Sequence, residues 1–340
     1  MRPVTLKEIA KELGISVATV SKALKGYQDV SPKTRKRVLE LTEKLNYSPN
    51  TAAISLRKQH TKTIGVIIPT IVHYFFSSVI EAIIKIADSK DYLVILLQSD
   101  ENFELEKKQV NLLLSKGIDG LIISLSNHTR TYTHLKKLQD YNVPFVQIDK
   151  ISKIVHSSKV IIDDRKAAYN AVSYLIEKGY KKIAHFRAGL NPQNSIDRYL
   201  GYKKALEDND IPLDPSLVYI CDNNRDFEDG IFNAEKMIKE HGNSVDAIFT
   251  VNDMLAIGAI HYFRNNDIKI PEEIAVFGFS NWFMSSVISP KLSTVNQDGS
   301  IMGEAAINVL FEEIENKRAG KPALNKTVVI DTDLVIREST

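Results

Sequence analysis

Two sets of residues carry types and spacings that can do chemistry. In the body of the chain, polar and aromatic groups recur just past short apolar runs. Asp149 follows Phe145–Ile148, Asn252 and Asp253 follow Ala247–Val251, and Ser280, Asn281 and Trp282 follow Ala275–Phe279. Ser124 and Ser126 follow Gly120–Ile123, and the Phe75-Phe76 pair lies after Ile64–Ile68. If those runs are strands of open α/β sheets, these groups stand where such sheets bind ligands, beyond the carboxyl ends of the strands. Carboxylate, amide, hydroxyl and aromatic groups together suit a neutral polyol, and no nucleophile–base pair accompanies them. The plainer role for each is a helix cap after a strand, and for Asp253 the cap is the preferred role.

The second set lies in the first sixty residues. Val17, Ala18 and Lys22 fall in a short helical stretch, where two apolar groups can touch thymine methyls and the lysine can donate to guanine O6 and N7. Thr5, Ser16, Thr19, Ser21, Ser31 and Tyr47 are placed to bond phosphates, which positions a protein on DNA without reading its sequence. Each of these hydroxyls can equally be a cap or a solvated group. Residues 1–62 hold thirteen lysines and arginines against five acidic residues, a net +8. The whole chain carries only +2, so the remainder carries −6. A basic head on an acidic body points to a polyanionic partner for the head.

The elements that must position these groups are legible. Thr5-Leu6-Lys7-Glu8 is a capping box, Gly14 stops the helix it opens, Ser16 caps a second helix that ends at Gly26, and Ser31-Pro32 starts a third. Val38, Leu41 and Leu45 give the third helix its buried stripe. Two short helices joined by a glycine-containing turn and backed by a third form a helix-turn-helix. Pro49 and Asn50 then mark the start of a helix over 51–57 that is too short to be stable alone in water. Such a helix suits folding on DNA, with Leu56 wedged between base steps; packing of Ile54 and Leu56 on the body is the alternative.

Beyond residue 60, nine candidate strands alternate with amphipathic stretches. The strands are Ile64–Ile68, Leu93–Leu97, Gly120–Ser124, Phe145–Ile148, Lys182–Phe186, Val218–Ile220, Ala247–Val251, Ala275–Phe279 and Val328–Val335. Helical stretches cover 76–90, 104–116, 165–178, 198–209, 228–241, 253–265 and 300–317. This alternation predicts parallel sheets with right-handed crossovers, and nine strands suit two sheets better than one. None of the fifteen glycines builds a dinucleotide or phosphate-binding loop, so no cofactor is expected. The one cysteine, Cys221, excludes an intrachain disulfide framework and thiolate metal clusters, and no metal site is expected. The charged N-terminus and the lack of a run of about 18 apolar residues predict no signal peptide, no membrane span and a cytoplasmic location.

The runs Val4–Ala10, Gly14–Lys22, Val30–Arg35 and Leu45–Asn50, followed by Ala53 and Leu56, resemble the lactose repressor/galactose repressor (LacI/GalR) family. The likeness continues through Asp163, Gly179, Arg198-x-x-Gly201-Tyr202, Asn252-Asp253-x-x-Ala256-x-Gly258, Gly278-Phe279 and Leu292–Val295 with Gln297. The resemblance implies a helix-turn-helix domain over 1–48 and a hinge helix and linker over 49–60. It implies a periplasmic-binding-protein-like α/β core of two doubly wound parallel-sheet subdomains, 61–162 plus 292–324 and 163–291 plus 325–340. It further implies a homodimer on a pseudo-palindromic double-stranded operator, with Asn50 and Ala53 in the hinge and Leu56 as the intercalating leucine. Phe76, Asp149, Arg198, Asn252 and Gln297 align with residues lining the family's effector cleft, and the planar fork of Arg198 suits vicinal hydroxyls or a carboxylate. Two departures bear on specificity. Lys22 stands where the family usually has arginine, and lysine lacks the bidentate fork. Ser280 stands where an aspartate is common, leaving Asn281 as the substitute acceptor.

The leading expectation is an effector-responsive DNA-binding transcription regulator, a repressor of carbohydrate-utilisation genes, that is not an enzyme. The competing reading, a sugar-binding or transport protein with an incidental basic head, conflicts with the +8 segment and with the expected absence of a signal peptide. Either Arg225 or Phe227 is expected to face the cleft, and an arginine there would favour an anionic ligand.

Overall fold

A helix must satisfy its first amides, and the head does so with side chains. Helix α1 (Leu6–Leu13) opens on Thr5, whose hydroxyl accepts from the Glu8 amide while the Glu8 carboxylate accepts from the Thr5 amide at 2.7 Å. Gly14, at φ 67°, closes it by donating back to Ala10 and Lys11 carbonyls. Ser16 caps α2 (Val17–Leu24), accepting from the Thr19 amide at 3.0 Å, and Ser31 caps α3 (Pro32–Lys44), accepting from Thr34 at 3.2 Å. Ile9, Ala10, Val20, Ala23, Val30, Val38 and Leu41 close a small core among the three helices, with Leu45 and Tyr47 packed on its margin.

The computed structural model describes residues 4–47, 60–72, 74–221 and 225–340, and the chain divides after Thr61 into the head and a larger body. The expected hinge helix, with Asn50, Ala53 and Leu56, lies outside the described residues.

The body contains two six-stranded sheets. The first comprises β1 (Thr63–Ile68), β2 (Leu93–Gln98), β3 (Gly120–Ile123), β4 (Phe145–Ile148), β5 (Ser158–Ile162) and β11 (Thr327–Ile330), in the order β11-β5-β4-β3-β1-β2, all parallel. Around it pack α4 (Tyr74–Ser89), α5 (Phe103–Ser115) and α6 (Thr133–Asp140). The second comprises β6 (Ile183–Arg187), β7 (Val218–Ile220), β8 (Ala247–Thr250), β9 (Ala275–Phe279), β10 (Ser293–Asn296) and β12 (Asp333–Val335), in the order β12-β10-β9-β8-β6-β7. It is parallel except for β12, which runs antiparallel to β10. Its helices are α7 (Asp164–Glu177), α8 (Gln193–Asp208), α9 (Asp226–His241) and α10 (Asp253–Asn265).

The chain passes between the sheets three times, and two passages differ from expectation. The first follows β5. The second was placed at 292, but Ser293–Asn296 pairs with β9 in the second sheet, so the chain crosses only after β10. It then runs into α11 (Gly299–Arg318), which packs on α4 and the first sheet. The third was placed at 325, but Thr327–Ile330 pairs with β5 in the first sheet and the passage falls at 331–332. The expected single strand Val328–Val335 is therefore two strands serving two sheets. Its apolar pattern continues across the break, so periodicity alone cannot show that the pairing partner changes. Each sheet thus borrows strands from across the boundary, which ties the lobes together through three segments.

One close helix approach matters for the site. A Cβ on Gly258 would lie 2.1 Å from the Phe227 carbonyl oxygen, and one on Gly230 would lie 2.3 Å from that of Leu255. These glycines let α9 and α10 touch backbone to backbone, which sets the start of α9 beside the start of α10. Gly258→Ala should destabilise the body by about 1–3 kcal/mol, because the obstacle is backbone and cannot rotate away. An unchanged urea midpoint would show that the two helices separate freely.

Candidate functional site

The carboxyl ends of the strands converge on a cleft of about 540 Å³. Thr70 reaches it from beyond β1, Asp100 and Glu101 from β2, Asn127 from β3, and Asp149 and Lys150 from β4. Ala188, Cys221, Val251 to Met254, Ser280 and Trp282, and Gln297 reach it from β6, β7, β8, β9 and β10. Tyr74, Phe75 and Phe76 enter from the first turn of α4, and Asp226, Phe227 and Glu228 from that of α9. The Phe75 and Phe76 rings meet edge to face at 5.2 Å.

A chain of polar contacts crosses the floor. Arg198, 4% exposed, donates from Nε to Asp164 at 2.7 Å and from Nη1 to the Val251 carbonyl at 2.6 Å, and its guanidinium lies 3.6 Å from the centre of the Phe279 ring. Its Nη2 donates to Gln297 Oε1 at 3.5 Å, and Gln297 Nε2 donates to Asp149 Oδ1 at 3.5 Å. Asn194 Nδ2 donates to the same Asp149 oxygen at 3.3 Å. Asp149 (φ 53°) and Ser280 (φ 109°) both hold left-handed backbone at the strand ends, a conformation few non-glycine residues adopt.

Of the expected cleft residues, Phe75, Phe76, Asp149, Arg198, Asn252, Ser280 and Gln297 come together here. Two do not. Ser124 has no exposed surface; its amide still donates to Ile67 in the sheet ladder and its hydroxyl accepts from the Lys150 amide at 3.4 Å, so it supports the wall from behind. Asn281 was expected to replace a missing carboxylate, but its side chain donates to Asn296 at 3.0 Å and accepts from Arg337 at 2.7 Å, bonding the strand residues of the second sheet instead. Asn252 both lines the cleft and caps α10, accepting from the Leu255 amide at 3.0 Å while donating to Asp226 at 2.9 Å. Asp253 is not the cap. Its buried carboxylate accepts from the Trp282 amide, Ser285 and Thr294 at 2.6–2.7 Å and so pins the loop that carries Trp282. Phe227, not Arg225, faces the cleft.

The sequence reading missed Glu101, Asn127, Lys150, Asn194 and Asp226. Most had a usable signal, because they follow β2, β3, β4, β6 and β7, and the strand-end rule applied to every strand points to them.

In the head, Val17, Ala18 and Lys22 are exposed along one side of α2, with Val17 at 39%. Lys22 is ion-paired to Asp29, and both remain half-exposed. That pairing raises the lysine's pKa and lowers the aspartate's, chiefly through their hydrogen bond. Thr5, Ser16 and Ser31 spend an acceptor on their caps, and Ser16 and Ser31 also bond the hydroxyls of Thr19 and Thr34 at 2.8 and 2.9 Å. Ser21 is half-buried, and burial of Tyr47 against the head core raises its phenol pKa.

Two buried titratable groups near Arg198 oppose each other. Burial pushes Asp164 up to about 6, Arg198 pulls it back and Asp149 adds to the rise. Burial pushes His185 on β6 down to about 3, against the help of the Phe249 carbonyl; its ring stacks on Tyr202 and Phe249 at 5.0 and 5.1 Å. An acid raised from 3.8 contributes stability that is full below 3.8 and lost as pH rises through about 6. A base lowered from 6.5 contributes stability that is full above 6.5 and lost as pH falls toward 3. Between roughly pH 4 and 6 the two slopes offset each other. Asp164→Asn removes only the first, so its stability should fall more steeply on acidification than the parent's in urea titrations across that window. Parallel pH profiles would show that Asp164 keeps an ordinary carboxylate pKa.

Comparison with known proteins supports both units. Residues 61–335 match the periplasmic binding proteins and sugar binding domain of the LacI family, and residues 5–50 match the bacterial regulatory proteins, lacI family. The chain is 34% identical over 339 residues to catabolite control protein A of Priestia megaterium, covering 99% of each protein. It is 35% identical over 339 residues to the HTH-type transcriptional regulator RegA of Clostridium acetobutylicum, covering 98% of each. The lac repressor dimer bound to operator and the anti-inducer ONPF superposes with a TM-score of 0.86 at 25% identity, covering 99% of each chain.

Proposed function

Because the chain belongs to the lacI family of bacterial regulatory proteins, we propose that it is a cytoplasmic, effector-controlled repressor of carbohydrate-utilisation genes. It binds a pseudo-palindromic operator as a homodimer and does not turn its ligand over. The observation that carries the DNA half of this reading is the exposed side of α2. The caps at Ser16 and Gly14 present Val17 and Ala18 in its first turn, where recognition helices meet base edges. Lys22 follows one turn later, Thr19, Ser21, Thr5, Ser31 and Tyr47 flank the phosphates, and Asn50, Ala53 and Leu56 act in the hinge.

The effector half rests on the contacts that cross the cleft. Those made by Arg198 to Asp164 and Val251 are short, whereas those reaching Asp149 are 3.3–3.5 Å long. A polyol whose hydroxyls bond Asp149 on one side and Asn194, Arg198 and Asn252 on the other has more to gain from a closed cleft than from an open one. Such a ligand shifts the population toward closure. The lac repressor dimer holding both operator and ONPF is the relative that supports linking the two halves.

Selection of the intact chain on a random duplex pool should return a pseudo-palindrome, and Ala18→Glu should abolish the selection. Recovery of the same sequences by Ala18→Glu would remove α2 from the base-reading role. Lys22→Ala should relax preference at one position of each half-site, a loss of about 1–3 kcal/mol of discrimination. Uniform weakening on all sequences, with a shallower salt dependence, would instead make Lys22 a phosphate contact. Leu56→Ala should weaken operator binding without lowering the melting temperature of the body, and an unchanged footprint would sink the hinge role.

A further inference from the structure

Among the described residues, two cationic side chains reach the cleft, and both are already neutralised inside the protein. Arg198 is paired with Asp164. Lys150 is paired with Glu101, and the two side chains are only 11% and 13% exposed. The second pair is built with some care. Lys150 also donates to Asn127 Oδ1 at 2.7 Å, and the Asn127 amide donates to the other Glu101 oxygen at 2.6 Å. Asp100 and Glu101 lie at φ 51° and 54°, two consecutive left-handed residues that are not glycine. Backbone of that kind persists only where its surroundings impose it, and here it carries the Glu101 carboxylate to the Lys150 ammonium.

The carboxylates on the walls are not balanced in the same way. Asp149 accepts from the neutral amides of Asn194 and Gln297, and Asp253 accepts from the Trp282 amide and the hydroxyls of Ser285 and Thr294. Glu228 is exposed at the rim. An anion entering the cleft therefore meets acidic groups, while both cations it needs are held by Glu101 and Asp164.

We propose that the cleft is built to reject anions, and that Glu101 is the specificity-determining residue that enforces this by neutralising Lys150. The effector is then a polyhydroxylated molecule that carries no phosphate or carboxylate. This rests on the cleft being the effector site. It does not depend on the DNA half of that reading, which operator selection tests separately.

The test uses inorganic phosphate and the full-length protein, read by the shift in melting temperature across a phosphate titration at constant ionic strength. The parent should show no saturable shift. Glu101→Gln keeps the shape of the side chain and frees one charge on Lys150, so it should show a saturable shift, with phosphate binding at least about tenfold tighter than in the parent. The double variant Glu101→Gln/Lys150→Met should lose it. Glu101→Ala is the second variant, used if the glutamine form does not fold, and should behave in the same way. A saturable phosphate shift in the parent would overturn the proposal. So would a Glu101 variant indistinguishable from the parent, or a gain that survives removal of Lys150.

Discussion

A buried guanidinium cannot be left unpaired, and the cleft is organised around that requirement. Arg198 projects from α8 over the Phe279 ring and draws three partners to it: Asp164 in the first turn of α7, the Val251 carbonyl past β8, and Gln297 past β10. Satisfying one charge therefore ties α8 to one helix start and two strand ends. Gln297 then passes the contact on to Asp149 at the end of β4 in the other sheet. The chain of contacts is tight within the second lobe and loose where it reaches the first.

The head follows an economy of its own. With three helices among its described residues and a core of seven buried apolar side chains, it has little burial to spend, so its stability leans on termini. The hydroxyls of Thr5, Ser16 and Ser31 are committed to the helix ends they start. Lys22 is paired with Asp29 across the surface of the head. The side chains left exposed on α2 are few, Val17, Ala18 and Lys22 among them.

Local signals carried a long way in this chain. The capping box at Thr5, the left-handed Gly14 and the Ser31-Pro32 start are decided by neighbours within four residues, so they are as legible in the sequence as in the structure. The eight other candidate strands are apolar runs that stand out from their surroundings, most of them with both faces covered. Strands β5 and β10 did not, because they carry serine, lysine, threonine and asparagine whose polar groups are satisfied only by distant partners. Ser158 bonds Glu313, and Thr294 bonds Asp253. Helix α6 also escapes the sequence reading: it is only eight residues long and its start has no capping side chain.

The strand-end rule located Asp149, Asn252 and Ser280 without any knowledge of the fold, because the position of a group past a strand is a property of the chain. Where the side chain goes from there is not. Ser124 continues the ladder and faces inward, and Asn281 turns to Asn296 and Arg337, each choice made by residues far away in sequence. The sequence by itself determined the helix ends, most of the strands, the basic head and the row of polar groups at the mouth of the body. Only the tertiary structure decided which sheet β10, β11 and β12 join, which of those groups meet, and that Lys150 and Arg198 arrive already neutralised. Pairing between strands and between charges depends on what lies opposite in space, and no local spacing records that.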